Sequence, residues 1–176
     1  MCVVLPGARG HHLRIPLVER ELTMAYVGPA GPAASGADPN DGLRLEVGHL
    51  HEVVRSFGVE PVFVLGHGRA AALSKAYARC HPDRVAGLIL YAAGPIADVR
   101  DDPPPLTVPT LVVTDRPDID CATEPVDVLR HSIPDARLVT LRESGRHAHL
   151  AEPERFAYLL LEFTRRISGP VRTALT

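Results

Sequence analysis

One short stretch of the chain has the spacing of a reactive turn. The buried apolar run Val62 to Leu65 is followed by Gly66-His67-Gly68-Arg69-Ala70, and an alanine-rich helical pattern over Arg69 to Cys80 begins without a connecting loop. Where a strand turns directly into a helix, the side chain at the apex of the turn is exposed. Enzymes that react through a nucleophilic side chain use this arrangement to present it, as with a serine. Here the apex is Gly68, which has no side chain. The turn therefore predicts a reactive site but supplies no nucleophile at its apex.

Composition limits the classes of partner. The chain has 176 residues, 45% of them hydrophobic, which is enough for the core of one domain. Its 19 basic and 21 acidic residues give a net charge of −2 without a basic cluster, so we expect no nucleic-acid partner. Cys2, Cys80 and Cys121 lack the spacing of metal ligands, so we expect no metal site and no disulfide framework. No cofactor is predicted.

Hydropathy indicates no membrane span. No apolar run approaches the roughly 20 residues that cross a bilayer. Residues 1–20 also lack the charged and then apolar order of a signal peptide. We therefore expect no membrane partner and a cytoplasmic location.

Apolar runs and helical patterns alternate along the chain, which is typical of an α/β fold with a mostly parallel sheet and helices on both faces. The strands are predicted at Met1 to Leu5, Leu22 to Val27, Val62 to Leu65, Val85 to Tyr91, Thr110 to Thr114 and Arg137 to Leu141. The helices are predicted at Leu13 to Glu21, Leu45 to Phe57, Arg69 to Cys80, Val126 to Ser132 and Pro153 to Ile167. Gly28 to Gly42 and Pro95 to Pro109 read as loops. We expect one domain over residues 1–167 and a frayed tail over residues 168–176.

Several phrases of the sequence carry a resemblance to a known family. The phrases are Leu65-Gly66-His67-Gly68-Arg69-Ala70, His81-Pro82-Asp83-Arg84-Val85, Leu5-Pro6-Gly7, Val108-Pro109-Thr110-Leu111-Val112-Val113, and Ile133-Pro134-Asp135 with His149-Leu150. In this order and spacing they resemble the α/β-hydrolase family, from Met1 to about Arg166. The first phrase resembles the nucleophile elbow of that family, in which small residues at the positions of Gly66 and Ala70 allow the sharp turn.

The resemblance implies a catalytic triad that is incomplete here. The acid of the family falls on Asp118, the nucleophile on Gly68 and the histidine on Arg146, with His147 one residue later. Gly68 cannot form an acyl-enzyme because it has no oxygen or sulfur. Arg146 cannot act as a base because its guanidinium stays protonated. The resemblance leaves His147 and Asp118 as the catalytic candidates.

The backbone part of the site does not depend on side chains. In the family, an oxyanion hole is made by two amides, which correspond to those of Ala8 and Arg69, and we expect it to persist. The Arg69 side chain either binds a carboxylate or phosphate or is a surface arginine at the start of a helix. Ala8, Gly68, Arg69 and Arg146 are therefore the predicted substrate-binding residues.

Alternatives remain for the side chains. Asp118 and Arg146 act either as a catalytic acid and an anion-binding side chain or as the partners of a plain salt bridge. We favour the salt bridge, because burying one charged partner without the other would be costly. His147 is either a general base or a solvent-facing loop residue. His67 and His149 are expected to be structural.

Two segments common in the family have no counterpart in this sequence. They are the two strands that usually precede the one at Met1 to Leu5, and the helical cap between Tyr91 and Val108. We therefore expect a minimal fold without a cap domain. A sheet edge exposed by this loss could be covered by homo-oligomerisation.

Three functions fit this sequence. The first, slightly preferred, is a non-covalent catalyst of the cyclase, isomerase or lyase type that acts on a small carbonyl-containing molecule. The second is an inactive hydrolase homologue that binds a ligand or partner. The third is a weak hydrolase in which His147 activates water. The fold alone does not choose between them.

Overall fold

A parallel sheet organises the computed structural model, which describes residues 1–6, 13–28, 39–92, 105–115, 133–141 and 147–169. Within these ranges the sheet has six strands, in the order β2-β1-β3-β4-β5-β6, and every neighbouring pair is parallel. The strands are β1 (Cys2–Leu5), β2 (Met24–Tyr26), β3 (Val62–His67), β4 (Val85–Tyr91), β5 (Thr110–Asp115) and β6 (Arg137–Leu141). The predicted mostly parallel sheet is confirmed.

Helices cover both faces of the sheet. They are α1 (Pro16–Glu19), α2 (Pro39–Ser56), α3 (Ala70–Cys80), a 3-10 turn (Pro82–Arg84), α4 (Ala148–Ala151) and α5 (Pro153–Ser168). On one face, Val64 and Leu90 pack with Leu50 of α2 and Ala76 of α3. On the other face, residues including Leu65, Ile89 and Val113 pack with Val18 of α1 and with Phe156 and Leu160 of α5. Because the central strands are buried on both sides, their sequences are continuous apolar runs.

Most predicted strand boundaries agree with the structure. The bounds of β4 and β6 are those predicted, and β3 extends two residues further, through Gly66 to His67. The strand predicted at Leu22 to Val27 is shorter in the structure, where β2 is Met24–Tyr26. The helix α1 begins at Pro16 rather than at Leu13, because a proline fits the first turn of a helix but disrupts its interior. Gly58, with φ +64, follows α2 in the left-handed conformation that commonly ends a helix.

The predicted start of α2 is wrong. The helix begins at Pro39 rather than at Leu45, so the end of the predicted Gly28 to Gly42 loop is helical. The sequence pattern places Leu45 on the apolar face of this helix, but its side chain is 70% exposed. The buried face is instead formed by Val47, Leu50 and Val54, whose spacing fits a helical period that Leu45 does not share.

Some predictions fall outside the described residues. These include the helix at Val126 to Ser132, most of the loop at Pro95 to Pro109 and the tail beyond Gly169. Ser168, assigned to the tail, is the last residue of α5. The helices within the described ranges lack the combination of length and apolar character that a bilayer span requires.

Truncation of two leucines of α2 should separate buried from exposed positions. We expect Leu50→Ala to lower the free energy of unfolding by about 2–5 kcal/mol, because it empties space between α2 and the sheet. Leu45→Ala is the matched control on the same helix, and its effect should stay within about 0.5 kcal/mol. Urea denaturation of both variants measures the difference. Equal losses for the two would contradict the packing of α2 described here.

Candidate functional site

The turn between β3 and α3 is an elbow with an open apex. Gly68 lies between the end of β3 and the start of α3 with φ +56, a conformation that residues with a side chain rarely adopt. Its N–H donates to the carbonyl of Tyr91 over 2.9 Å, and its carbonyl accepts from the N–H of Ala71 over 3.1 Å. Among the residues that the structure describes, no atom lies within 4 Å of a Cβ built at Gly68. The backbone of the elbow is thus held from both sides, while the described residues leave the position of a nucleophile open.

Gly66 explains why the elbow is so tight. A Cβ at this position would lie 2.2 Å from Oγ of Ser74 and 2.8 Å from Cα of Ala71, so no larger residue fits between β3 and α3. Ser74 is fully buried, and its hydroxyl donates to the carbonyl of Ala70 over 3.0 Å. Ser74 therefore contributes to the packing of the elbow rather than to the open apex.

Four rings pack together beside the elbow, and we call them the elbow cluster: His67, Tyr91, His149 and Phe156. His67 stacks on Tyr91 with ring centroids 4.8 Å apart, and Phe156 contacts Tyr91 at 4.6 Å. His149 meets Tyr91 edge-on at 5.9 Å, and Nδ1 of His149 lies 3.3 Å from the hydroxyl oxygen of Tyr91. The cluster joins the ends of β3 and β4 to the first turn of α4.

His147 lies at the outer end of this arrangement. It precedes α4 as its N-cap, its side chain is exposed, and its ring is 6.0 Å from that of His149. His149 in turn is 6.1 Å from His67, which adjoins Gly68. The elbow is therefore linked to His147 through one intermediate imidazole. The exposure of His147 agrees with the solvent-facing alternative, and its ring contact places it next to the cluster.

Arg69 is the other predicted site residue that the structure describes. It is exposed and immediately precedes α3. Ala8, Asp118 and Arg146 lie outside the described residues. The salt bridge expected between Asp118 and Arg146, and the paired amides of the oxyanion hole, therefore stay predictions.

Sequence reasoning missed the role of Tyr91, which it treated only as the last residue of a buried strand. A tyrosine at the carboxyl end of a buried strand needs a partner for its hydroxyl, and that signal was present. It also missed Ala92, which has φ +47 and donates its N–H to the carbonyl of Val113 over 3.0 Å. A non-glycine residue in this conformation costs about 1–3 kcal/mol, and such residues cluster at functional sites.

His81 and Cys2, which lie away from the elbow, have shifted pKa values. Burial, reinforced by the nearby His51, lowers the pKa of His81 at the far end of α3, where the two imidazoles stack at 4.0 Å. Burial raises the pKa of Cys2 to about 12, so this thiol is an inert core residue. No group of three or more potential metal ligands occurs among the described residues.

Comparison with solved structures identifies the architecture. An α/β hydrolase from the metagenome of sediments of the Mar Chica lagoon, Morocco, superposes with a TM-score of 0.74 at 18% identity, covering 96% of this chain and 92% of that one. An esterase from Exiguobacterium antarcticum matches with a TM-score of 0.71 at 18% identity, over 93% of this chain and 91% of the esterase. The chain has the α/β-hydrolase fold.

A third similar structure is a serine hydrolase involved in carbazole degradation, with a TM-score of 0.73 at 16% identity over 94% of this chain and 91% of the hydrolase. No protein-family model matches the sequence, and no curated protein matches it. At these identities the similarity extends to the α/β-hydrolase fold and not to a particular activity.

The two glycines of the elbow should respond differently to an added methyl group. We expect Gly66→Ala to destabilise the protein by about 1–3 kcal/mol or more, because the methyl group would overlap backbone and side-chain atoms of α3. Gly68→Ala should cost about 1 kcal/mol, since the positive φ opposes it while no atom of the described residues lies near the added methyl group. Chemical denaturation compares the two variants. A Gly66→Ala variant as stable as the wild type would show that β3 and α3 are further apart than described.

The stacked histidines should make stability depend on pH. Because the pKa of His81 in the folded protein lies below its ordinary value of 6.5, the unfolded chain binds a proton first as the pH falls. The free energy of unfolding should therefore decrease as the pH drops below the ordinary value of 6.5. Thermal unfolding from about pH 8 to about pH 5 should show a smaller decrease for His81→Gln than for the wild type. His49→Gln, at an exposed position of α2, is the control and should behave as the wild type.

Proposed function

We propose that this chain is a non-covalent catalyst of the α/β-hydrolase fold that acts on a small carbonyl-containing molecule. The observation that carries the proposal is the open apex at Gly68, where the elbow backbone is kept and no atom of the described residues lies within 4 Å of the missing side chain. A nucleophile at that position would form a covalent intermediate. The empty space instead admits an atom of the substrate itself.

The chemistry follows from the groups around that space. The first N–H groups of a helix have no partner within the helix, so the start of α3 at Arg69 and Ala70 offers donors to a developing negative charge. Removal of a proton next to a carbonyl moves an electron pair onto the carbonyl oxygen, which these donors would stabilise. Isomerisation next to a carbonyl, elimination of a group β to it, decarboxylation of a β-keto acid and aldol-type cyclisation all pass through such an enolate.

The proton carrier in this proposal is His147, with Asp118 as the other candidate. An imidazole titrates near neutrality and can both accept and return a proton. The ring contact of His147 with His149 supports the choice, since His149 belongs to the elbow cluster. The proposed catalysis requires that His147 lie against a bound substrate.

A second candidate function is a binding module without catalysis. The exposure of the His147 side chain favours it, because a surface histidine faces solvent in the same way. In that case the open apex would bind a small ligand and release it unchanged.

Filling the apex tests the proposal. Wild-type protein and variants would be incubated in D₂O with a panel of enolisable ketones, β-keto acids and simple esters, and exchange and turnover would be followed by proton NMR. We expect Gly68→Ala to abolish turnover, because its methyl group occupies the space for the substrate atom. His147→Ala should reduce turnover about 10²-fold or more, as expected for loss of a general base.

Gly58→Ala is the matched control. Gly58 also has a positive φ, +64, and open space at its Cβ, but it follows α2 and not the elbow. The control should bear a similar strain and keep full turnover. Binding of a panel compound without turnover would replace the proposal by the binding module, and ester hydrolysis lost in His147→Ala would replace it by the hydrolase.

A further inference from the structure

Tyr91 touches both halves of the candidate site. Its backbone carbonyl accepts a hydrogen bond from the N–H of Gly68 at the apex, over 2.9 Å. Its side-chain hydroxyl lies 3.3 Å from Nδ1 of His149, which follows His147 by two residues. Tyr91 is fully buried and His149 is 5% exposed, so both are fixed parts of the interior. Tyr91 thus connects the apex at Gly68 to the segment that carries His147 and His149.

The hydrogen bond at Nδ1 controls the proton of His149. A neutral imidazole carries one proton, and the nitrogen that accepts a hydrogen bond leaves the proton to the other nitrogen. A phenol is a good donor, and an imidazole nitrogen is a good acceptor. The pair is therefore best made with the Tyr91 hydroxyl donating to Nδ1, which places the proton of His149 on Nε2.

His149 lies between two other imidazoles. Its ring meets that of His67 at 6.1 Å with an interplanar angle of 69°, and that of His147 at 6.0 Å with an angle of 74°. In both pairs the planes of the two rings are steeply inclined to each other. Because the nitrogens of an imidazole lie on its edge, the tautomer of His149 decides which edge atom of this ring carries a hydrogen beside its neighbours.

We propose that Tyr91 is a positioning residue, whose hydroxyl fixes the tautomer and orientation of His149 and thereby holds His147 for proton transfer at the apex. The effect on His147 rests on the proposed function, in which His147 carries the proton. The effect on His149 concerns only the folded protein. Tyr91 itself takes no part in the reaction.

The ring of Tyr91 also has a packing role, which a conservative change separates from the hydroxyl. A phenylalanine at this position keeps the stack on His67 at 4.8 Å and the contact with Phe156 at 4.6 Å. Tyr91→Phe thus removes only the oxygen that contacts His149. Tyr158→Phe is the matched control, since Tyr158 on α5 is 67% exposed and lies outside the elbow cluster.

The test is the tautomer of His149 in ¹⁵N-labelled protein, read from two-bond ¹H–¹⁵N correlations of the imidazole rings. We expect the wild type and Tyr158→Phe to show His149 as a single neutral tautomer with unprotonated Nδ1. Tyr91→Phe should show a mixture of the two tautomers. Protonated Nδ1 in the wild type, a measurement that needs no variant, would overturn the proposal. An unchanged tautomer in Tyr91→Phe would overturn it as well.

The consequence for catalysis is measured separately on the substrate found with the D₂O panel. We expect Tyr91→Phe to lower kcat about tenfold and to leave KM unchanged, because a positioning residue acts on the proton transfer and not on uniform binding. A changed tautomer with an unchanged kcat would overturn the link to His147. A changed tautomer in a protein without any turnover would confirm the control of His149 by Tyr91 and refute the proposed function alone.

Discussion

The close approach of β3 and α3 at Gly66 is the constraint on which the candidate site depends. With Ser74 and Ala71 so near the position of a Cβ, only glycine lets the strand pass this close to the helix. The chain must then reverse direction within the two residues Gly68 and Arg69 before α3 begins. Such a short turn forces one residue into a positive φ, which falls on Gly68. The geometry of the apex is therefore a consequence of packing, and it persists without a nucleophile.

The sheet order then brings distant parts of the chain to this apex. Because β4 lies beside β3, the carboxyl end of β4 adjoins the elbow and Tyr91 accepts the hydrogen bond of Gly68. The rings of His149 and Phe156, on the segment that follows β6, pack against Tyr91 from the helical layer formed by α4 and α5. Carboxyl ends of parallel strands are the usual place for ligand sites in such sheets, because the connecting loops converge there.

Much of this fold could be predicted from the sequence because its central strands are buried on both faces. Continuous apolar runs such as Val85–Tyr91 are difficult to mistake, and their ends coincide with those in the structure. The start of α2 could not be predicted from its pattern, because Pro39 and Gly42 read as loop residues and Leu45 was assigned to the wrong face. The elbow was recognisable since its determinants are local in sequence. The contact of Tyr91 with His149 spans 58 residues and arises only from the sheet order.

The polar side chains of the elbow cluster are relevant to whether the candidate site has a function. Burying polar groups such as a tyrosine hydroxyl and an imidazole is unfavourable unless each finds a partner, and an apolar pair would fill the same space at lower cost. Tyr91 and His149 meet this requirement in part through each other, over 3.3 Å. The polar groups serve a function if they orient His147 and fix the position of the proton on His149 beside the open apex at Gly68. In this respect the cluster is a stronger argument for a working site than the elbow backbone, which packing at Gly66 already explains.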